Sequence, residues 1–405
     1  MNIKNNYVIA YAFVALVGTI LAVLIFGSPV EPVSAANQHV SRKIFSPVVL
    51  ANPEATSVIA SGLNNPRGLN FGPGNFGPGG ALYVAEAGSG GTGPCAPGPE
   101  GIRCYGTTGS VTRIDLPRGT ATRIASGLPS LAGEDGSFAT GVHDISFQGR
   151  GNGFMTIGFG GDPTTRTASF GRVGESFARL ARIYASGSWR LQEDLGNYEA
   201  ATNPDGDELD TNPYGILSLP DKRVVAEAGA NALNEVSANG RISTLAVFPD
   251  RLVDAPPFLE LPPGTQIPMD AVPTSVALGP DGHYYVGELT GFPFPVGGAN
   301  IYRVPAQGGT PEVYASGFTA IIDVAAGPDG SLYVLELAKN GLLAAFIDGD
   351  WTGALIRVAP DGTRTEIAPG TLFAPGGVAI GSDGAIYVTN NSIFSGSGQV
   401  IRIEP

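Results

Sequence analysis

The stretch GPDGHYYVGE, residues 279–288, joins a tight-turn signature to a short apolar strand that ends on a carboxylate. It returns as GPDGSLYVLE (327–336) and GSDGAIYVTN (381–390), and more loosely as GPGGALYVAE (77–86). Gly and Asp supply the backbone freedom and local hydrogen bonds of a turn, and Tyr-Val suits a strand. Around each copy lie an apolar strand before the turn (PTSVALGPDG, IIDVAAGPDG, PGGVAIGSDG, PRGLNFGPG), a third strand after it (ANIYRVP, GALIRVAP, GQVIRIEP, GSVTRIDLP) and a fourth (PEVYASGF, TRTEIAPG, ATRIASGL). Four short strands per unit, joined by turns, make a propeller blade.

Two degenerate copies fill the middle of the chain: GVHDISFQGRGNGFMTIGFG with ARLARIYASG, and NPYGILSLPDKRVVAEAG with LNEVSANGRISTLAVF. Together the copies predict an all-β, six-bladed propeller over residues 56–405 with no second domain. A β-sandwich of similar strand count is the rival, but a sandwich has no reason to repeat one four-strand phrase. A lone strand, TSVIASGL (56–63), precedes the first unit, and the last unit stops after its third strand at Ile403. The N-terminal strand is therefore expected to complete the last blade and remove an open sheet edge.

The 405 residues are 43% hydrophobic and 15% charged, which is ample apolar material for a large core. The 59 glycines and 33 prolines fall between short apolar runs, as turn-rich all-β chains require. A net charge of -13 with no Lys/Arg cluster argues against nucleic acid as a partner. At the N-terminus, MNIKNN, an apolar run from Tyr7 to Phe26 and a small-residue site near Val33-Ser34-Ala35 match a secretory signal over 1–35. An uncleaved membrane anchor is the other reading, since the run is long enough to cross a bilayer. Residues 36–55 read as a linker, and the remainder is expected to be a secreted or periplasmic monomer.

That compartment permits disulfides. Cys95 and Cys104 lie in GPCAPGPEGIRCYG, a Pro/Gly-rich loop whose ends they would staple, worth roughly 2.5 to 3 kcal/mol on the chain-entropy account. A metal pair is the alternative, although the spacing is not CxxC and no His is near.

In a propeller, turns within the first and second pairs of strands lie on one face, and the remaining connections lie on the other. Here the first face has short turns, and the second carries nearly every insertion: 87–109, 129–142, 159–178, 196–212, 250–273, 289–299, 337–353 and 390–398. Long ordered loops on a rigid scaffold are where binding and catalysis concentrate, so a small molecule or a protein partner is expected on this face.

Glu86, Glu227, Glu288 and Glu336, with Asn390 in the sixth blade, close the second strands near that face. They read either as anchors for neighbouring backbone groups or as a cation-binding ring. Residues opening the inner strands are the candidate ligand set: Arg67, His143, Asp144, Asn212, Tyr214, Ser275 and Asp323. Of these, Asp144, Asn212 and Asp323 are the candidate metal ligands, with Ca²⁺ as the candidate ion. His143 is the candidate base. Asp323 interrupts an apolar run and needs a partner, either Arg67 or a backbone amide, or a ligand.

In NPDGDELDTNPYG (203–215), Asn203, Asp205 and Asp207 imitate the start of a calcium loop. Glu208 stands where an EF-hand needs Gly and Tyr214 where it needs Glu, so an EF-hand is excluded. A different calcium site and a solvated acidic turn both remain open. The chain has no G-x-S-x-G, H-E-x-x-H or P-loop, and its three histidines are too few for a histidine-rich metal site.

The passages GSFATGVHDISFQGRGNGFMTIGFGGDP, DELDTNPYGIL, ELTGFPFPVGGANIYRV and ASGFTAIIDVAAGPDGSLYVLE resemble the ScyD/ScyE family of secreted propellers, related in pattern to NHL-type repeats. The resemblance runs from about Ser57 to the C-terminus. It implies an extracytoplasmic role, for some members in making the pigment scytonemin, and brings no catalytic residues with it. SGLNNPRGLNF with ALYVAEAG, and NPYGILSLPDKRVVAEAGANALNEVS, are similar to soluble glucose/sorbosone dehydrogenases, which implies a quinone-dependent oxidoreductase as an alternative. A calcium-dependent, lactonase-like hydrolase is the third function class.

Overall fold

The protein is seen in a computed structural model that describes residues 49–50, 55–73, 81–99, 101–116, 118–149 and 152–404. The expected signal or anchor segment lies outside these residues. Among the described residues no helix is long and apolar enough to cross a membrane.

Six antiparallel sheets follow one another along the chain as six blades. Blade 1 runs Pro66–Phe71, Leu82–Glu86, Gly101–Asp115, Thr120–Ala132, and blade 2 Val142–Gln148, Asn152–Ile157, Arg179–Ile183, Trp189–Asp194. Blade 3 runs Pro213–Ser218, Lys222–Glu227, Ala232–Ser237, Ile242–Val247, and blade 4 Pro273–Leu278, Tyr284–Glu288, Ala299–Val304, Glu312–Phe318. Blade 5 runs Ile321–Ala326, Leu332–Glu336, Ala354–Val358, Arg364–Ile367. Blade 6 has Gly377–Ile380, Ile386–Asn390 and Gly398–Ile403, and its fourth strand is Thr56–Leu63, paired antiparallel from Thr56↔Ile403 to Leu63↔Gly398. The ring therefore closes as expected. Val49 and Leu50, within the stretch read as a linker, pair parallel with Thr365 and Glu366 on the outer edge of blade 5.

Second strands such as Leu82–Glu86 are buried throughout because a blade packs on both faces. Alternate residues feed different interfaces. Leu82 and Val84 join Leu69, Ala379, Tyr387 and Val400 between blades 6 and 1, while Tyr83 and Ala85 join Ile145 and Met155 between blades 1 and 2. The same alternation sends Tyr284 and Val286 toward blade 3 and Tyr285 toward blade 5.

The repeated phrase is one packing device. The glycine that follows the inner strand lies under the ring of the Tyr on the second strand: a Cβ on Gly72 would stand 2.2 Å from Tyr83, and one on Gly279 2.2 Å from Tyr285. The turn Asp accepts the amide two residues on, as Asp281 does from His283 and Asp329 from Ser331. The same Asp then pairs with an Arg of the third strand: Arg303 with Asp281, Arg357 with Asp329, Arg402 with Asp383.

The expected insertions do fall on one face, but several are not loops. Residues 101–106 extend the third strand of blade 1, which pairs with Cys95–Gly98 and with the long strand Thr120–Ala132. Arg251–Asp254 and Gln266–Met269 form a separate hairpin, and helices occupy Arg166–Phe170, Leu195–Thr202 and Leu342–Asp348. Cys95 and Cys104 are directly cross-strand and disulfide-bonded.

Candidate functional site

Inner strands run away from the long-loop face, so the residues that open them line the mouth of the central channel. Five of the six carry a register irregularity there: between Pro66 and Leu69, Val142 and Asp144, Pro213 and Ile216, Pro273 and Ser275, and Ile321 and Asp323. A bulge re-aims side chains locally, and here it turns successive residues toward the channel and the next blade. At the corresponding position of the six inner strands the residue types are small or acidic: Gly68, Asp144, Gly215, Ser275, Asp323 and Gly377. Gly68 leaves room for Asp144, whose Oδ1 would be 2.0 Å from a Cβ at that position.

Asp144 and Asp323 belong to blades 2 and 5, opposite one another in the ring of six. Each joins two blades. Asp144 accepts from its own neighbour Ile145 N at 2.7 Å and from Ile216 N of blade 3 at 2.8 Å. Asp323 accepts from Val324 N and from Val378 N of blade 6, both at 2.8 Å. Of the partners the sequence left open for Asp323, the backbone amide is the one found. Desolvation pushes Asp323 up to about 7, and desolvation together with the facing Asp323 charge raises Asp144 well above the usual carboxylate range. A negative charge on Asp323 adds to the cost of ionising Asp144.

His143 is buried against Tyr214, with ring centroids 4.5 Å apart. Its Nδ1 lies 3.2 Å from the Pro213 carbonyl, which makes that nitrogen the protonated donor and leaves the lone pair on Nε2. Burial, then the Arg67 charge, pushes its pKa down to about 3, so the ring is neutral at physiological pH. Arg67 donates from Nη2 to the Ala139 carbonyl at 2.9 Å and is hydrogen-bonded to Tyr214, but its buried Nε has no partner. The buried Ser275 Oγ has none either.

The structure thus brings Arg67, His143, Asp144, Tyr214 and Asp323 together. Asn212 stands beside His143, with its Oδ1 taken by the Phe159 amide at 3.1 Å, and anchors a loop. Among the described residues no three Asp, Glu, His or Cys side chains are grouped as a metal site.

The Glu ring is an anchoring device. Each member accepts from backbone or side-chain groups beside it. Glu86 takes Asn64 N at 2.8 Å, Glu227 takes Ala230 N at 2.8 Å and the Thr211 hydroxyl, and Glu288 takes Asn300 N at 2.7 Å and Arg251. Glu336 takes Thr319 N at 2.7 Å, and Asn390 Oδ1 takes Phe373 N at 2.7 Å. Asn64, Thr211, Thr319 and Phe373 all lie just ahead of an inner strand, so these residues fix where the chain enters the channel.

Sequence reasoning missed the roof. Phe138, from the connection between blades 1 and 2, reaches Phe346 and Trp351 of the blade 5 insertion, with centroids 6.0 and 5.7 Å away. Phe346 and Trp351 meet edge to face at 5.1 Å. Loops from opposite sides of the ring therefore meet over the mouth, and Tyr214, Leu289 and Phe294 pack on the same apolar cluster. Trp351, one of two tryptophans and set in a long loop, was the signal available.

The fold and site define a six-bladed β-propeller with an aromatic-roofed axial mouth. Comparison with protein-family patterns gives no match, and neither does comparison with curated protein sequences. Among solved structures the chain is similar to virginiamycin B lyase from Staphylococcus aureus (16% identity, 81% of this chain and 78% of that one, TM-score 0.44). It is similar also to the calcium-binding protein regucalcin from Agrobacterium tumefaciens (14%, 88% and 95%, TM-score 0.48) and to a putative gluconolactonase (10%, 88% and 94%, TM-score 0.45). These are six-bladed propellers.

Proposed function

We propose that this chain is a secreted, ScyD/ScyE-like propeller that binds a small, largely aromatic molecule at the axial mouth on its long-loop face, in service of extracytoplasmic metabolite synthesis of the scytonemin type. One observation carries the reading: an aromatic roof built from opposite sides of the ring stands over buried polar atoms, Arg67 Nε and Ser275 Oγ, that have no partner in the fold. An unpartnered buried donor is costly, and a mostly apolar pocket with a few converging polar groups is the usual form of a small-molecule site. In this reading the roof stacks on the flat part of the ligand, and Arg67 takes its carbonyl or anionic group.

His143 favours a second reading, in which the site is catalytic. A neutral imidazole with Nδ1 tied to Pro213 offers Nε2 as a base, toward water in a lactonase-like hydrolase or toward a substrate hydroxyl in a glucose/sorbosone-dehydrogenase-like oxidoreductase. A conjugate acid of pKa about 3 makes that base weak at neutral pH, which is why binding is placed first.

Calorimetric titration and thermal shift of the purified protein with aromatic metabolites, lactones and sugars, with and without pyrroloquinoline quinone and Ca²⁺, separate these readings. Binding predicts a saturable aromatic ligand without turnover, weakened at least about tenfold, or 1.4 kcal/mol, by Trp351→Ala. Turnover of a lactone, or oxidation of a sugar only with quinone, would replace it with the catalytic reading.

A further inference from the structure

The long-loop face carries an apolar ridge that the fold leaves uncovered. Leu252, Phe258 and Leu261 stand on the arm formed by the hairpin Arg251–Asp254/Gln266–Met269 and its tip, Val296 on a loop of blade 4, and Phe346 and Ile347 on the helix Leu342–Asp348; each is 40 to 67% exposed. They are half of the large apolar side chains exposed among the described residues. The ridge is continuous. Phe258 meets Phe292 edge to face at 6.3 Å, Phe292 meets Phe294 at 6.0 Å, and Val296 lies against the start of the helix, its Cγ2 2.9 Å from where a Cβ on Gly341 would stand. Single exposed apolar side chains are ordinary, but a continuous run of them marks an interaction surface.

The charge around the ridge is one-sided. Across the eight insertions of this face Asp and Glu number sixteen, Lys and Arg five. Four of those five cations are engaged within the fold: Arg103 with the Phe159 and Gly160 carbonyls, Arg166 with Asp194, Arg251 with Glu288 and Lys339 with Glu366. The acids set among the apolar positions are not. Asp254, Glu260 and Asp348 are exposed and, among the described residues, belong to no ion pair. On the opposite face the turn acids are paired instead, Asp281, Asp329 and Asp383 each with an Arg. An acidic surface repels the anionic headgroups of a bilayer, and two copies joined through this ridge would set acid against acid. A cationic partner is what complements it.

We propose that this ridge docks a basic, amphipathic segment of a partner protein, whose apolar side chains cover Phe258, Leu261, Val296 and Ile347 and whose Lys or Arg side chains pair with Asp254, Glu260 and Asp348. The sequence interleaves the two kinds of contact: Asp254 follows Leu252 by two, Glu260 lies between Phe258 and Leu261, and Asp348 follows Ile347 directly. Apolar cover supplies the free energy of such a complex, and the charges steer and orient it. The arm is fixed well enough to present these side chains. A two-stranded hairpin is marginal on its own, but Arg251 pairs with Glu288 and donates to the Gly298 carbonyl at 2.7 Å, and Met269 is buried. That leaves Leu252 and its cross-strand partner Pro268 facing solvent. The surface lies outside the axial mouth, and the docking does not depend on the ligand proposed there.

The test uses the full chain and, as the probe, a synthetic Leu/Lys amphipathic peptide carrying a fluorophore, read by anisotropy. Saturable binding is expected, weakening as salt rises because exposed charges are screened. Phe258→Ser/Leu261→Ser should weaken it at least about tenfold, and so should Asp254→Asn/Glu260→Asn. All four positions are exposed, so the fold is not at risk. Val313→Ser, exposed on the outer strand of blade 4, should leave the affinity unchanged. No saturable binding, an unchanged affinity in either ridge variant, or equal binding of a Ser/Lys peptide that has no apolar side chains would overturn the proposal. Binding to phosphatidylcholine/phosphatidylglycerol vesicles that is lost in Phe258→Ser/Leu261→Ser would replace the partner with a lipid surface. A dimer in sedimentation that the same variant dissociates would replace it with a second copy of this chain.

Discussion

Gly279 shows how much of this fold is decided one residue at a time. A Cβ there would meet Tyr285 Cε2 at 2.2 Å and Asp281 Oδ1 at 2.7 Å, the ring and the carboxylate that the same turn uses to hold Arg303. Neither can retreat easily, because Tyr285 is buried between blades 4 and 5. Alanine lowers unfolded-chain entropy to the benefit of the fold by about 0.4–1 kcal/mol. Overpacking a tight contact costs typically about 1–3 kcal/mol. Steric cost wins, so Gly279→Ala is expected to lower the urea midpoint, whereas unchanged unfolding would show that the ring moves freely. The recurring Gly and Tyr were legible as a repeat. That one exists to make room for the other was not, because the contact depends on how the two strands of the hairpin twist against each other across the turn.

At the scale of the element, the informative unit is a second strand with its terminal carboxylate. Glu336 closes Leu332–Glu336 and takes the amide of Thr319, two residues ahead of the inner strand of the same blade. Burial pushes its pKa up to about 7. Glu336→Ala would leave that amide unpaired in a buried place, at a cost of about 1–3 kcal/mol. Glu336→Gln keeps an acceptor and discards the ionisation, so denaturation at pH 8 should find it clearly more stable than the alanine variant. Equal losses in both would mean that the amide finds another partner. The ring of carboxylates was visible in the sequence with anchoring and cation binding as its two readings. Only the backbone amides that reach them, from residues 3 to 22 positions away, decided for anchoring. Loop structure was least legible: residues 87–109 read as an insertion, but the disulfide-bonded hairpin continues the sheet of blade 1.

For the whole molecule, the same carboxylates govern the response to pH. Asp323, Glu288 and Glu336 are pushed up to about 7 and Glu227 to about 8, each chiefly by desolvation. Between the unfolded carboxylate range near 4 and those values, the native state holds more protons than the unfolded chain, so stability falls as pH rises through this window. His143 acts in the opposite sense. Its native pKa of about 3 lies below the unfolded value, so its contribution is lost as pH falls from about 6.5. Above pH 6.5 the carboxylates act alone. With chelator present, calorimetry should therefore find a higher melting temperature at pH 6.5 than at pH 8; the reverse order would mean that these groups are ionised at little cost.

By itself the sequence determined the blade, the number of blades, the strand that closes the ring, the cysteine pair and the face that carries the insertions. All of these are periodic or local, written in turn residues and alternating apolar positions that repeat at blade spacing. Tertiary structure alone decided what the axial residues do. Asp144 and Asp323 find their amides in the following blades, and Phe138 meets Trp351 across the ring. Such contacts join residues far apart in the chain, and a ring closure brings opposite blades together without leaving any trace in the spacing of either.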